Sequence, residues 1–342
     1  MARSRRAVAG RPQRVTIADI AAYVGVSTAT VSYALNDPTR VSAETLERVR
    51  AAVEELGYTG NEAARQLRRG RSNAVALIVN DAANPAFTAF ETGAEHAAAV
   101  TGHFILNANS SDNASRELAY LRFFESQQVG GIVIAPVGEL PDEAIAIADR
   151  GTPVVSLGHL GSRSPVPSIS GDDLAGGETA MTHLLAAGRR RPMFVGGPRA
   201  QFELRLRGAE QAAARRGVAV RALTLEAATV EAGHRAVCAL SDDELAGYDA
   251  VFAGNDLLAI GVLHALIERG VDVPGRIALV GYDDIEFAQL AVVPLTTVRH
   301  DVSAMSRAAV EAAVSGGATR PVHREFPPEL VVRRSTYLTA PA

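Results

Sequence analysis

The 342-residue chain contains no tryptophan, no lysine and a single cysteine, Cys238. One cysteine leaves no intramolecular disulfide and takes metal–thiolate sites out of consideration, and a reducing compartment is compatible with it. Cys238 itself reads as a small apolar filler on a helix. Long apolar runs are missing too, since nothing approaches the roughly 18 residues of a membrane-spanning helix. The opening MARSRRAVAG has the charge of a signal-peptide start, but no apolar stretch follows it. The expectation is a soluble, cytoplasmic protein with no membrane partner. Absent as well are the G-x-S-x-G, P-loop, H-E-x-x-H and G-x-G-x-x-G motifs, and no His/Asp/Glu spacing suggests a metal site. Asp283 and Asp284 make a poor acid–base pair, because adjacent side chains at one strand end point apart. The chain therefore reads as a non-enzyme without cofactor or metal.

What is present is unevenly distributed. The net charge is −4, yet residues 1–72 hold twelve arginines against seven carboxylates. That segment carries about +5 and leaves about −9 for the remainder, which places any nucleic-acid contact at one end. All 34 basic residues are arginine, a pattern attributed to coding bias rather than mechanism. A hydrophobic content of 47% supplies ample core. The length fits a small head plus a sensor of roughly 270 residues, large enough to split into two lobes. Residues 1–13, with Gly10 and Pro12 among the arginines, read as a disordered basic arm.

Residues 14–59 carry the pattern of three short helices. Thr16 precedes Ile17, Ile20, Ala21 and Val24 at helical spacing, with Asp19 three residues on as a capping box. Gly25 ends that helix and Ser27 caps the next, which runs to about Leu35. A short Gly-containing turn between two such helices is the signature of a helix-turn-helix. Val26, Val31 and Leu35 are expected inside, leaving Thr28, Ala29, Ser32 and Tyr33 on the outer face, where base edges are read. A third helix follows from Ser42, with Thr45, Leu46, Val49, Val53 and Leu56 in a stripe that Gly57 stops. Spacing alone leaves any compact three-helix bundle open.

The segments VTIADIAAYVGVSTATVSYALN, VSAETLERVRAAVEELGY and NEAARQLRRGRS together resemble the head, third helix and hinge of the lactose-repressor (LacI/GalR) family. The resemblance runs in order through essentially the whole chain. It implies phosphate contacts from Ser27, Thr30, Asn36, Ser42 and Thr45, and base contacts from Thr28, Ala29, Ser32 and Tyr33. Many relatives carry Arg where Tyr33 stands, which leaves the preferred base open. It also implies a hinge helix at 60–71, in which Asn61, Ala64, Arg65 and Gly70 match and Leu67 is the wedge that enters the minor groove. A helix so short does not persist alone. It is expected to form only on DNA and in a dimer.

From Ser72, apolar strands alternate with helices of ten to fifteen residues, in two series. NAVALIV, HFILNA, GGIVIAP and PVVSL make the first; PMFVGG, residues 220–224, DAVFAGN and RIALVGYD make the second. Such alternation implies parallel sheets with helices on both faces, hence an α/β body at 72–342 below an all-α head. By resemblance the body is periplasmic-binding-protein-like, with one lobe at about 72–167 and 300–328 and the other at about 168–299 and 329–342. Ligands of open parallel sheets bind beyond the carboxyl ends of the strands. The residues expected there are Asn80, Asp81, Gly158, His159, Asn255, Asp283, Arg205 and His300, with Phe87 at the mouth. The resemblance gives Arg205, Asn255 and Asp283 the polar grip on the effector. Asp256 reads as a helix cap and Asp284 as structural. Two departures bear on the ligand: Gly158 stands where many sugar-responsive relatives have an acidic residue, and Ala227 and Ala228 where several place a stacking aromatic.

These readings converge on a ligand-responsive, sequence-specific repressor. It is expected to be a homodimer on a pseudo-palindromic double-stranded operator, controlled by a small carbohydrate or related polar metabolite. The alternatives are a nucleoside-responsive regulator and the solute-binding protein of a transporter.

Overall fold

Hydroxyl side chains fix where the helices of the head begin. A computed structural model describes residues 15–58, 71–160, 164–198, 200–315 and 322–336, in two units that divide after Gly70. In the first unit, α1 (Ile17–Val24) opens with a reciprocal box. The Thr16 hydroxyl accepts from the Asp19 amide, and the Asp19 carboxylate accepts from the Thr16 amide at 2.8 Å. Gly25 ends the helix at φ 75°, a conformation a side chain would strain. Ser27 and Ser42 cap α2 (Thr28–Asn36) and α3 (Ala43–Glu55) in the same way. Ile20, Ala21, Val24, Val31, Ala34, Val49 and Ala52 form the buried centre.

One inward residue differs from the expectation: Leu35 is 36% exposed, and Ala34 is buried in its place. Ala34 and Leu35 lie about 60° and about 40° to opposite sides of Val31 around the helix, and the bundle covers the side of Ala34. The arm at 1–13 lies outside the described residues. So does the expected hinge helix apart from Arg71, including Asn61, Ala64, Arg65 and Leu67.

The second unit alternates strands and helices: β1 (Ala74–Val79), α4 (Pro85–Val100), β2 (Phe104–Asn109), α5 (Ala114–Ser126), β3 (Gly131–Ile134), α6 (Asp142–Asp149), β4 (Val154–Leu157) and β5 (Ser168–Gly171). It continues with α7 (Asp173–Ala186), β6 (Pro192–Gly196), α8 (Ala200–Ala214), β7 (Arg221–Thr224), α9 (Val230–Cys238), α10 (Asp242–Ala246), β8 (Ala250–Ala253) and α11 (Asp256–Glu268). The last elements are β9 (Ala278–Tyr282), α12 (Glu286–Leu290), β10 (Thr296–Arg299), α13 (Val302–Val314), β11 (His323–Phe326) and β12 (Glu329–Val331).

They build two six-stranded sheets, ordered β11-β5-β4-β3-β1-β2 and β12-β10-β9-β8-β6-β7. Every paired neighbour is parallel except β10 with β12. Both faces of the first sheet are covered: Val75, Leu77 and Val79 pack with α4 and α13, while Ala76 and Ile78 pack with residues of α5 and α6. In each sheet the order turns beside the first strand, β1 or β6, which creates a crevice at the carboxyl ends.

The chain crosses between lobes later than expected. Residues 168–171, assigned by sequence to the second lobe, form β5 of the first sheet, with Ser156 opposite Ser168 and Leu157 opposite Ile169. The segment SISG has no continuous apolar run to announce a buried strand. Cys238 is exposed rather than a filler.

Candidate functional site

On the head, the outer side of α2 stays open. Thr28, Ala29 and Tyr33 are exposed and Ser32 is half-buried, while Val31 and Ala34 seal the opposite side. The flanking hydroxyls are held in pairs, Ser27 with Thr30 at 2.8 Å and Ser42 with Thr45 at 2.9 Å. The Asn36 amide donates to the Ser32 carbonyl at 2.7 Å. Thr16, also expected among the DNA-binding residues, has its amide and hydroxyl engaged with Asp19 in the α1 cap. Arg40, which the sequence reading passed over, lies 5.2 Å from the centre of the Tyr33 ring and pairs with Asp37 at 2.8 Å. Cation–π contact fixes a positive charge beside the exposed tyrosine. Such a face suits contact with phosphates and base edges.

In the second unit, Arg205 organises the cleft, and glycines put it there. A Cβ on Gly177 would stand 1.9 Å from the Arg205 carbonyl oxygen, and one on Gly208 equally near that of Leu174. Helices α7 and α8 therefore touch backbone to backbone, which brings Arg205 against Asp173. The guanidinium Nε donates to the Asp173 carboxylate at 2.7 Å, one Nη lies 3.6 Å from Asp283, and the other donates to the Gly254 carbonyl. Its plane covers the Tyr282 ring at 3.6 Å. Burial alone would depress the Arg205 pKa, but the charges of Asp173 and Asp283 hold it above the ordinary value.

His300 joins the two sheets. Its Nε2 meets the Tyr282 hydroxyl at 2.8 Å and its Nδ1 the Phe326 carbonyl at 3.1 Å. The carbonyl requires a proton on Nδ1, so Nε2 accepts from tyrosine. Burial pushes the His300 pKa down, Asp173 opposes this, and Arg205 reinforces it.

Of the residues expected to bind a ligand, Asn80, Phe87, Gly158, Arg205, Asp283 and His300 line one cavity of about 160 Å³. Asn80 is 4% exposed, donates to the Pro136 carbonyl at 3.2 Å, and keeps its Oδ1 without a hydrogen-bond partner. Gly158 has φ 130°, so the acidic residue anticipated by family comparison would be strained there. Asp283 and Asp284 both have positive φ, at 100° and 53°, an unusual stretch of backbone at the cleft edge.

Three residues stand elsewhere. Asp81 is spent on the turn before α4, accepting from the Ala83 amide at 3.0 Å. His159 pairs with Glu325 at 2.6 Å in an adjoining chamber of about 430 Å³ that also contains Glu139, Glu203 and Arg207. Asn255 caps α11, its Oδ1 accepting from the Leu258 amide at 2.9 Å, and it is 2% exposed. The cap is thus Asn255 and not Asp256. The fully buried Asp256 instead accepts from the Thr297 hydroxyl and the Ile285 amide, and burial followed by Asp283 raises its pKa well above normal. Asp284 pairs with Arg333 at 2.7 Å, a structural role. Asp173, Ser170 and Gln201 line the cavity but were not singled out in the sequence. Asp173 sits where an acidic helix start is ordinary, so only its contact with Arg205 marks it.

Comparison with known proteins follows the same division. Residues 16–61 match the family described as "Bacterial regulatory proteins, lacI family", and residues 181–336 match "Periplasmic binding protein-like domain". The chain is 34% identical over 340 residues to the HTH-type transcriptional regulator reg1 of Streptomyces lividans, covering 94% of this chain and 96% of that protein. Among solved structures it is similar to the Lac repressor dimer bound to operator and the anti-inducer ONPF. That similarity has a TM-score of 0.85 at 26% identity and covers 95% of this chain and 100% of that one. It is similar also to the transcriptional regulator CelR in complex with cellobiose, with a TM-score of 0.67 at 29% identity over 94% and 100% of the two chains.

Proposed function

This chain belongs to the LacI family of bacterial regulatory proteins, and from that premise we propose that it is a homodimeric repressor whose hold on a pseudo-palindromic operator is set by a small carbohydrate or related polyol. One observation carries the ligand-controlled part. In a chain that bears a helix-turn-helix head, a buried guanidinium held between two carboxylates shares one cleft with an unpartnered buried amide oxygen. Carboxylates accept from adjacent hydroxyls, the guanidinium fixes oxygen atoms with planar geometry, and Asn80 Oδ1 awaits a donor. Phe87, Phe90 and Met305 give the apolar surface that the carbon face of a sugar ring packs on. That CelR, a structural neighbour, is described in complex with cellobiose supports a carbohydrate as the class of ligand.

DNA binding then runs through α2, with Tyr33 and its partner Arg40 at the base edges, and through the segment 60–71 with Leu67 as minor-groove wedge. A ligand acts by its preference between lobe arrangements, which alters the gap between the two hinges of a dimer.

The test is a thermal-shift screen of sugars, polyols and nucleosides on the full-length protein, followed by fluorescence anisotropy on DNA from upstream of its own gene. A stabilising sugar that changes operator affinity supports the reading. A nucleoside that does so in place of sugars replaces the ligand class, and a stable monomer without affinity for any such duplex overturns the whole.

A further inference from the structure

The geometry points to a divalent metal site, of the kind zinc occupies, on the surface of the second lobe and away from the cleft, formed by His234, Cys238 and Glu268. The single cysteine and the absence of a local ligand motif made such a site invisible in the sequence. It arises because two helices meet. A Cβ on Gly261 would stand 1.9 Å from the Val230 carbonyl oxygen, and one on Gly233 2.4 Å from that of Leu258, so α9 and α11 pack backbone to backbone. His234 and Cys238 are four residues apart and share one face of α9. Glu268 reaches them from the last turn of α11.

The three ligand atoms lie within 4.8 Å of one another. The histidine Nε2 is 2.8 Å from the Glu268 carboxylate and 3.8 Å from Cys238 Sγ. Metal–ligand bonds of about 2.0–2.3 Å in tetrahedral geometry require ligand atoms about 3.3–3.6 Å apart. Opening the His234–Glu268 pair by about half an ångström and closing the Cys238–Glu268 separation, at most 4.8 Å, by up to about one satisfies this, and rotation of side chains at the surface can make such moves. The donor set suits the ion in charge as well: a thiolate, a carboxylate and a neutral imidazole cancel a charge of +2, with water completing the tetrahedron. Binding releases the thiol proton to solvent, while the imidazole stays neutral and carries its proton on Nδ1 instead of on the Nε2 now shared with Glu268. The nearest arginines do not oppose it strongly, because Arg235 pairs with Glu231 at 3.4 Å and Arg269 with Asp242 at 2.5 Å. A bound ion would clamp α9 to α11, which also carries the Asn255 cap.

The experiment uses full-length protein freed of metal by a chelator and titrated with cobalt(II), whose thiolate charge-transfer absorption reports sulfur ligation. Because Cys238 is the only cysteine, that band has one assignment. One cobalt per chain is expected, displaced by zinc, together with a rise in the melting temperature of the metal-loaded protein. Cys238→Ser should remove the band, His234→Gln should weaken binding at least about tenfold, and Glu268→Gln should weaken it similarly while keeping the band. All three side chains lie outside the cleft and the head, so operator binding should persist in each variant and report that it folds. Absence of a saturable band at micromolar cobalt, one ion per two chains, or binding indifferent to His234 would overturn the site.

Discussion

The two walls of the cleft are made of different chemistry. The first lobe offers neutral groups: the amides of Asn80 and Asn84, the Ser170 hydroxyl, and the apolar surfaces of Phe87, Phe90 and Met305. The second lobe brings Asp173, Arg205 and Asp283, with one guanidinium between two carboxylates. Charges buried this deeply are tolerated only when paired and held rigid. The α7–α8 contact across Gly177 and Gly208 supplies that rigidity before any ligand arrives. Recognition of polar groups is therefore preorganised in the second lobe, whereas the first contributes shape and one unsatisfied acceptor. Only interactions that differ between lobe arrangements can shift the equilibrium, so affinity and response can be carried by different walls.

Breaking the charged wall should have the largest effect. Arg205→Ala leaves Asp173 and Asp283 buried without their cation. It is expected to abolish the ligand response and to cost the sensor on the order of 3–5 kcal/mol of stability, read by denaturant unfolding. An intact response in this variant would remove Arg205 from the site. Asp283→Asn keeps the shape and loses a charge-assisted acceptor. Ligand affinity, measured by calorimetry with whichever compound the screen identifies, should fall by roughly 10- to 100-fold while operator binding without ligand persists.

How much of this asymmetry was legible depends on the residue. Strand ends after apolar runs pointed to Asn80, Gly158 and Asp283, because a parallel sheet places its crevice at those ends whatever the sequence of the loops. Resemblance to the family added Arg205 and Phe87. Asp173 escaped because the strand before it, Ser168–Gly171, lacks an apolar run, so nothing placed the helix start two residues beyond β5 at the carboxyl edge of a sheet. Asn255 shows the ambiguity of such positions: a polar residue at a strand end is also where the next helix needs a cap, and its Oδ1 serves that cap. The head was easier, since caps act between residues three apart and can be read locally, although Leu35 shows that one residue of rotation on a short helix is enough to mistake inside for outside. The meeting of His234, Cys238 and Glu268 depends on two glycines that let separate helices touch, and no local pattern records that.

Breaking the neutral wall should be milder. Asn80→Ala removes an acceptor that has no partner within the protein together with the amide that donates to the Pro136 carbonyl, so stability should fall by only about 1 kcal/mol. Ligand affinity should fall about fivefold, the value of one hydrogen bond. The sharper outcome is in the response: if the first lobe sets the preference between arrangements, the ligand should still bind this variant yet shift operator affinity less than in the native protein. A shift that is undiminished at saturating ligand would place the switch on the charged wall instead.

The smallest expected effect concerns the residue joining the two walls. Burial depresses the His300 pKa, and burial does the same to His183, which contacts the Thr336 hydroxyl at 2.8 Å. A depressed histidine means that the unfolded chain takes up the proton first. The associated stability is complete above the ordinary value of about 6.5 and declines as pH falls from there toward the folded-state value, by at most about 1.4 kcal/mol per unit for each group. Melting temperatures should therefore drop between neutral pH and about 5.5, and His300→Gln should lessen that drop while leaving the contribution of His183. Because Arg205 reinforces the depression of His300 and burial leads it, Arg205→Ala should reduce the acid sensitivity without erasing it. An acid-induced decline identical in the native protein and in His300→Gln would mean that folding does not depress the pKa of the imidazole between Tyr282 and Phe326.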